Sequence, residues 1–196
     1  MADHGGDVDS EDSSVEYKAP PKKTLQELQQ LDQEDESLKR YKEALLGALD
    51  LKADVPFPNN PKCVVFESFT VCVEGQPDRT ISLLDESSLD NPDCNRIPIP
   101  EGTSYHIEVR YYVQRDIVTG LQYEQSVHRG PLRVDHSTVM LGSYAPQRDV
   151  RVWKSEMLEA PKGVVHRGTY SIKSRFRDVD KTEYISWKWS IDVCKP

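Results

Sequence analysis

The fold of this chain is decided by the stretch Tyr105–Gln114, which reads YHIEVRYYVQ. Its odd-numbered positions are apolar, and its even-numbered positions are polar with the exception of Tyr112. Side chains of a β-strand point alternately to its two faces, so this pattern predicts a strand with one buried face. Residues 185–193 repeat the alternation and carry Trp187 and Trp189 on the apolar side.

Other strand-like runs fill the rest of the C-terminal three quarters of the chain, separated by Gly, Pro and Asp turn residues. They span 63–73, 79–84, 121–128, 132–141, 149–154 and 166–177. Short strands at this spacing are typical of an antiparallel sandwich with immunoglobulin-like layering. The predicted fold class is therefore mainly β.

The N-terminal segment has helical signals instead. Thr24 and Glu27 have the spacing of a capping box, and Asp32 with Asp35 gives a second N-cap signal. The second predicted helix runs to about Leu46, where Gly47 can end it. Its apolar stripe is narrow, as expected for a helix whose apolar face is completed by another molecule. We therefore predict a helix–turn–helix interaction arm.

A charge run and a proline cluster delimit this arm. Residues 1–16 contain six acidic residues and no Lys or Arg, which predicts disorder in the free protein. The segment 56–61, PFPNNP, cannot continue a helix and marks a boundary. We predict a regulatory arm over residues 1–55 and a β-sandwich over residues 56–196.

Composition narrows the functional class. The chain has 196 residues with 33 Asp and Glu against 25 Lys and Arg, a net charge of −8. Nucleic-acid binding normally requires a basic surface, so it is not expected. Apolar runs are far shorter than the ~20 residues that span a bilayer, and the N-terminus lacks the features of a signal peptide. The four cysteines lack CxxC or zinc-finger spacing, so no metal site is expected. Because a secretion signal is not evident, we expect free thiols and a cytoplasmic location.

Enzyme motifs are not evident in the sequence. Asp135, His136 and Ser137 are adjacent on a predicted strand and alternate between its faces, so they cannot form a relay. No phosphate-binding glycine loop, HExxH motif or nucleophile elbow is present. An interaction protein without a cofactor is the preferred interpretation.

A series of short motifs extends over nearly the whole chain after residue 15. They are Tyr17-Lys18-x-Pro20, Leu31-Asp32-x-x-Asp35-Glu36-Ser37-Leu38, Tyr41-Lys42-Glu43-Ala44-Leu45-Leu46-Gly47, Ile117-Val118-x-Gly120, Gly142-Ser143-Tyr144-x-Pro146, Glu159-Ala160-Pro161-Lys162-Gly163, Arg167-Gly168-x-Tyr170-Ser171-Ile172-Lys173-Ser174-Arg175-Phe176 and Ser186-Trp187-x-Trp189. In order and spacing these motifs resemble the Rho GDP-dissociation inhibitors (RhoGDIs). The resemblance implies a protein that inhibits GDP release from prenylated, for example geranylgeranylated, Rho-family GTPases. It also implies that the protein extracts them from membranes, as a monomer that forms a 1:1 complex without inserting into the bilayer.

The same resemblance implies three groups of site residues. The arm residues that would contact the GTPase are Tyr17, Asp35, Ser37, Leu38 and Tyr41. The residues that would line a prenyl pocket are Val71, Ile97, Tyr105, Ile117, Val165, Ile172, Trp187 and Trp189. The acidic residues that would face the GTPase are Asp178 and Asp180. At position 139, where the family often has an aromatic residue, this chain has Val139, which leaves the preferred prenyl length open.

Simpler interpretations stand beside these. Trp187 and Trp189 would serve equally well as ordinary core residues, and Asp178 and Asp180 as a hydrogen-bonded turn. Two alternative functions also stay open at this stage. One is a general carrier of lipidated proteins that makes no switch-region contacts, and the other is a C2-like module that binds calcium and membranes.

Overall fold

The computed structural model describes residues 55–85, 89 and 95–196. Within this part the chain forms ten strands and a single 3-10 turn, Val164–His166. The strands are β1 (Val64–Val73), β2 (Arg79–Ser82), β3 (Arg96–Pro100), β4 (Ser104–Val113), β5 (Val118–Arg129), β6 (Leu132–Tyr144), β7 (Arg151–Lys154), β8 (Leu158–Glu159), β9 (Gly168–Arg177) and β10 (Glu183–Cys194).

The strands form two sheets packed face to face. The first sheet has the order β2-β1-β4-β7, with β8 pairing with β4 beyond the end of β7, and the second has the order β3-β10-β9-β5-β6. The prediction of a mainly β sandwich is therefore confirmed. The two predicted arm helices lie outside the described residues, so the division of the chain at residues 55 and 56 stays a prediction.

Strand β3 is the main element that the sequence pattern did not reveal. It contains Pro98 and Pro100 and pairs in parallel with β10, whereas every other strand pair is antiparallel. Proline cannot donate to a strand ladder, so it normally argues against a strand. The edge position of β3 removes this objection, because only one side of the strand needs partners.

Strand β4 has the two faces that its alternation predicts. Ile107, Val109, Tyr111 and Val113 are at most 1% exposed and point between the sheets. Tyr112, the exception in the pattern, is only partly buried, and its ring packs edge-on against Phe57 at a centroid distance of 5.2 Å. Its ring therefore holds the proline-rich segment against the sandwich.

Gln114 fixes the same proline-rich segment through hydrogen bonds. Its amide nitrogen donates to the carbonyl oxygens of Phe57, Asn60 and Lys62 at 3.3, 2.9 and 2.8 Å. Its amide oxygen accepts from the Phe57 N–H at 3.1 Å. Gln114 is 2% exposed. The proline-rich segment is thus tied to the end of β4.

The two ends of the sandwich carry different elements. The linker end contains residues 57–62, the β4–β5 connection 114–117 and the β9–β10 turn 178–182. The opposite end contains the β5–β6 hairpin 129–132 and the 3-10 turn 164–166, and we call it the cavity end. Between the sheets, the linker half is filled by stacked aromatic rings, with Phe176 lying 4.3 Å from Phe66 and 5.8 Å from Trp187.

In the part of the chain that is described, no helix has the length and apolar character needed to cross a bilayer. Cys63, Cys72 and Cys194 form no disulfide among the described residues.

Candidate functional site

A cavity of about 680 Å³ opens between the two sheets toward the cavity end. It lies along the edge at which β7 and β8 of the first sheet face β6 of the second. The first sheet contributes Tyr105 and Ile107 from β4, Trp153 from β7 and Leu158 from β8. These side chains form one apolar wall, because odd positions of β4 and β7 point inward.

The second sheet supplies the opposite wall. Strand β5 contributes Tyr123 and Val127, and the lining continues with Ile172 of β9 and with Ile191 and Val193 of β10. Most of these side chains are aliphatic and shorter than the aromatic rings that fill the linker half. The sheets therefore stay apart at this end without side chains that fill the space between them.

Strand β6 forms the outer rim of the cavity and contains a bulge. The pairing runs from Val127 opposite Asp135 to His128 opposite Arg133, which leaves Val134 as an extra residue. A bulge turns successive side chains toward the same side, which explains why Val134 and Asp135 both line the cavity.

The rim carries apolar side chains that are exposed to solvent. Val134, Val139 and Leu158 are 46%, 42% and 37% exposed although they line the cavity. Large apolar side chains grouped at a solvent-exposed opening are unusual unless they bind a partner or ligand. The cavity volume lies within the range of roughly 300–1,000 Å³ found for small-molecule pockets. The arrangement suits a flexible hydrocarbon ligand that enters from the edge.

A hydrogen-bonded chain of side chains forms the inner end of the cavity. The Trp189 indole N–H donates to Ser174 Oγ at 2.9 Å, Ser174 Oγ lies 2.8 Å from the Tyr123 hydroxyl, and that hydroxyl donates to Gln125 Oε1 at 2.8 Å. Burial raises the pKa of Tyr123 well above its ordinary value, so its hydroxyl stays neutral. The Tyr123 hydroxyl and the Gln125 side chain, which both belong to cavity residues, are therefore already paired with each other.

The loop after β8 closes one side of the cavity. Glu159, Ala160 and Pro161 belong to the lining, and Ala160 exchanges backbone hydrogen bonds with the β3–β4 turn at Gly102 and Thr103. The Lys162 side chain lies against Gly102 of this turn, whose φ is 72°.

An ion pair fastens the same loop. Arg167 binds Glu101 through two hydrogen bonds of 3.0 and 2.6 Å, and the Gly163 N–H donates to Glu101 at 3.0 Å. The hydrogen bond from Arg167 is the main cause that lowers the pKa of Glu101 below its ordinary value of 4.5. A bidentate pair of this kind fixes the loop more specifically than a single contact does.

Two of the eight predicted pocket residues, Tyr105 and Ile172, line the cavity. Burial, with the charge of Asp135 as a second cause, raises the pKa of Tyr105. Four others lie in the packed core and are not part of the lining, each at most 2% exposed: Val71, Ile97, Trp187 and Trp189. Trp189 touches the site indirectly through Ser174. A direct contact of these four with a prenyl group stays a prediction.

The other two predicted pocket residues lie near the surface. Ile117 is 40% exposed at the linker end, where Gly120, three residues later, packs against Val179. Val165 is 77% exposed in the 3-10 turn, whose His166 carbonyl accepts a hydrogen bond from the cavity residue Tyr170 at 2.7 Å. Val165 therefore lies beside the cavity end, whereas Ile117 lies at the opposite end of the sandwich.

The two predicted GTPase-facing acids differ in their surroundings. Asp178 is 2% exposed, and its carboxylate accepts hydrogen bonds from the Thr182 N–H and the Tyr184 hydroxyl, both at 2.9 Å. It thus has the turn-forming role that is common for such residues, rather than an outward-facing one. Asp180 is exposed, and a GTPase-facing role for it stays a prediction.

The arm residues Tyr17, Asp35, Ser37, Leu38 and Tyr41 lie outside the described residues. Conversely, the cavity contains Trp153, Tyr123 and Val127, which we did not predict from the sequence. The sequence contains a pattern that could have identified them, because each occupies an inward-facing position of a predicted strand. The pattern did not indicate which inward positions would face the cavity and which would face the packed core.

The geometry defines a β-sandwich protein with an open apolar cavity between its sheets. A family model described as RHO protein GDP dissociation inhibitor matches residues 2–196. Rho GDP-dissociation inhibitor 1 of Homo sapiens is 38% identical over 195 residues, which cover 100% of this chain and 93% of that protein. The chain belongs to the Rho GDP-dissociation inhibitor family.

Other relatives agree with this assignment. A Caenorhabditis elegans protein named "Probable rho GDP-dissociation inhibitor" is 36% identical over 195 residues, 100% of each chain. Rho GDP-dissociation inhibitor 3 of Bos taurus is 37% identical over 182 residues, which cover 92% of this chain and 78% of that protein. A solved structure of a Niemann-Pick type C2 protein from Japanese carpenter ant has a TM-score of 0.40 and 10% identity over 69% of this chain and 96% of its own, which is too remote for any inference.

Proposed function

We propose that this protein is a GDP-dissociation inhibitor of Rho-family GTPases and takes the GTPase's isoprenoid tail into the cavity between its sheets. The observation that carries the proposal is the open apolar cavity with exposed Val134, Val139 and Leu158 at its rim. Membership of a family of inhibitors supports a regulatory role in preference to an enzymatic one.

The energetics favour an enclosed binding site. A chain of about twenty carbons gains roughly 0.8 kcal/mol for each buried CH₂ in a bilayer, so extraction requires an equally apolar environment. Exposed surface contacts do not offer this. A cavity that already exists between the sheets avoids the cost of separating packed side chains, which lowers the free energy needed for uptake.

The arm supplies a second surface in this proposal. Residues 1–54 contain 14 Asp and Glu against 7 Lys and Arg, whereas residues 55–196 contain 19 against 18. Most of the negative charge of the chain is therefore in the arm, where Asp35, Leu38 and Tyr41 are the proposed GTPase contacts. Long-range attraction between this charge and a basic GTPase tail would increase the association rate and would weaken with salt.

The proposed complex is a 1:1 heterodimer formed in the cytoplasm. One cavity accepts one isoprenoid chain, which supports this stoichiometry. The C2-like alternative is not favoured, because the Asp178 carboxylate already has two donors within the β9–β10 turn.

Liposome extraction tests the proposal. A geranylgeranylated, GDP-loaded Rho-type GTPase is bound to liposomes, and its release is measured with the full chain and with residues 56–196. In parallel, release of a fluorescent GDP analogue is followed. We expect the full chain to extract the GTPase and slow nucleotide release, and the truncated chain to extract poorly.

The other outcomes are equally informative. Equal extraction by both proteins, with no effect on nucleotide release, would indicate a general prenyl carrier. No extraction by either protein, or equal binding of a non-prenylated GTPase, would contradict the proposed use of the cavity.

A further inference from the structure

The outer face of the first sheet carries a group of metal-ligating side chains that is separate from the cavity. Cys72 of β1 lies directly opposite His106 of β4, and Thr70 lies opposite Glu108. His106 and Glu108 are two residues apart on one strand, so their side chains share a face with that of Cys72. Directly opposed residues in antiparallel strands have Cβ atoms only about 4.5–5.5 Å apart.

The donor atoms of this group are close to each other. One atom each from Cys72, His106 and Glu108 lie mutually within 4.8 Å, and all three residues are partly exposed. In a tetrahedral zinc site, bonds of about 2.0–2.3 Å place ligand atoms roughly 3.3–3.8 Å apart. Because all three side chains are partly exposed, they have room to rotate toward a shared metal ion.

The chemistry of the donor set selects the metal. A thiolate, an imidazole and a carboxylate together suit Zn²⁺, whereas calcium and magnesium prefer oxygen ligands alone. Three protein ligands leave a fourth position. Water can fill this position.

A metal ion at this position would compete with a lysine for the Glu108 carboxylate. Lys154 of β7 pairs with Glu108 at 3.2 Å, and its side chain is 60% exposed, so it can move into solvent. Cysteine binds Zn²⁺ as the thiolate, so binding would release the thiol proton to solvent.

We propose that Cys72, His106 and Glu108 form a zinc site on the outer face of the first sheet, with water as the fourth ligand. The metal would join β1 to β4. The inner face of the same part of β4 carries Tyr105 and Ile107, which line the cavity. The proposed site thus lies directly behind the cavity wall, and bound zinc would make this wall more rigid.

Cobalt substitution in the full chain tests the site. Co²⁺ bound to a thiolate in tetrahedral geometry gives a sulfur-to-cobalt charge-transfer band in the near ultraviolet, together with visible ligand-field bands. Carboxylates and histidines elsewhere, such as His4 in the arm, cannot give the sulfur band. We expect this band in the wild-type protein, and we expect added Zn²⁺ to remove it by competition.

Variants assign the band to individual residues. The Cys72→Ser protein should lose it, and the matched triple variant Cys63→Ser, Cys94→Ser, Cys194→Ser should keep it. His106→Gln should weaken Zn²⁺ affinity at least about tenfold, whereas the control His128→Gln should not, because loss of even an outer-shell partner costs that much. Circular dichroism checks that each variant is folded.

Several results would overturn the proposal. They are the absence of a sulfur band in the wild-type protein, its survival in Cys72→Ser, its loss in the triple variant, or equal Zn²⁺ affinity of His106→Gln and His128→Gln. If Cys72→Ser does not fold, the two histidine variants still decide the question.

Discussion

The linker half and the cavity half of the sandwich are built on the same strands but are filled differently. In the linker half, the rings of Phe66, Phe176 and Trp187 stack between the sheets and exclude solvent. In the cavity half, Val127 and Ile172 leave about 680 Å³ between the same sheets. The strands determine the spacing of the layers, and side-chain size determines whether the space between them is packed core or open cavity.

Tyr123 marks the boundary between the two halves. Its ring packs on Phe176 at 5.1 Å on one side and on Trp153 at 5.7 Å on the other. Its hydroxyl belongs to the hydrogen-bonded chain that ends at Gln125 on the cavity wall. The packed half can therefore carry the stability of the domain while the other half stays open for a ligand.

The largest expected effect comes from removing a ring on the packed side. Phe176→Ala should lower the free energy of unfolding by about 3–5 kcal/mol, because the fully buried ring leaves a cavity. Tyr170→Ala, on the same strand at the cavity wall, should cost only about 1–2 kcal/mol, because this residue is already partly exposed. Urea denaturation measures both. Equal losses would mean that the two halves do not differ in packing.

Two glycines with similar backbone angles extend the comparison to the ends of the sandwich. Gly120 at the linker end has a φ of 60°, and Gly130 at the cavity end has a φ of 57°. Gly130→Ala should cost about 1–2 kcal/mol from backbone strain alone. Gly120→Ala should cost at least about 1 kcal/mol more, because its Cβ would collide with Val179.

A second substitution controls this prediction. Val179→Ala in the Gly120→Ala background should recover the additional loss of unfolding free energy, and it should not help Gly130→Ala. Failure of this rescue would mean that the contact between Gly120 and the β9–β10 turn is not the cause.

Trp187 and Trp189 differ in whether the indole N–H makes a hydrogen bond. Trp189 donates to Ser174, whereas the Trp187 indole N–H is buried with no acceptor among the described residues. Trp189→Phe should therefore destabilise the protein by about 1 kcal/mol more than Trp187→Phe, since only the first change removes a hydrogen bond. Thermal unfolding of the two variants provides the measurement. The reverse order would show that ring packing outweighs the hydrogen bond.

The smallest expected effect is the pH dependence of the cavity loop. The pKa of Glu101 is lowered in the folded state, so its pairing with Arg167 contributes stability above the ordinary value of 4.5. This contribution is lost as pH falls through the lowered pKa. Hydrogen exchange of the Ala160, Lys162 and Gly163 amides should therefore speed up relative to the core below about pH 4.5. In Glu101→Gln this extra acid sensitivity should be absent, and its persistence would point to another group.

Sequence alone predicted the sheets better than the cavity. Alternation in β4 and β10 identified the buried faces correctly, because one side of each strand must be apolar in any sandwich. The pattern could not distinguish Ile172, which lines the cavity, from Trp187, which is packed, since both are inward apolar residues. Strand β3 was missed because its prolines are acceptable only at an edge, and edge position depends on tertiary structure.

The resemblance to RhoGDIs predicted the family correctly, and the family implied more than the residues themselves could show. It implied pocket positions for Tyr105 and Ile172, which lie on the cavity wall. It also implied a GTPase-facing position for Asp178, which the structure places in a buried turn. The roles of individual loop residues depend on local hydrogen bonds, which a shared motif does not specify.

The central claim is that the cavity half binds an isoprenoid chain, and two neighbouring residues of β6 test it most directly. Val139 lines the cavity, whereas Met140 is 54% exposed and is not part of the lining. The measurement is the dissociation constant of a dansyl-labelled geranylgeranyl cysteine, read by energy transfer from tryptophan, for full-length Val139→Asp and Met140→Asp. Val139→Asp should weaken binding at least about tenfold, because a carboxylate on the apolar wall must be desolvated, and Met140→Asp should leave it unchanged. Equal affinities for the two variants would contradict the account.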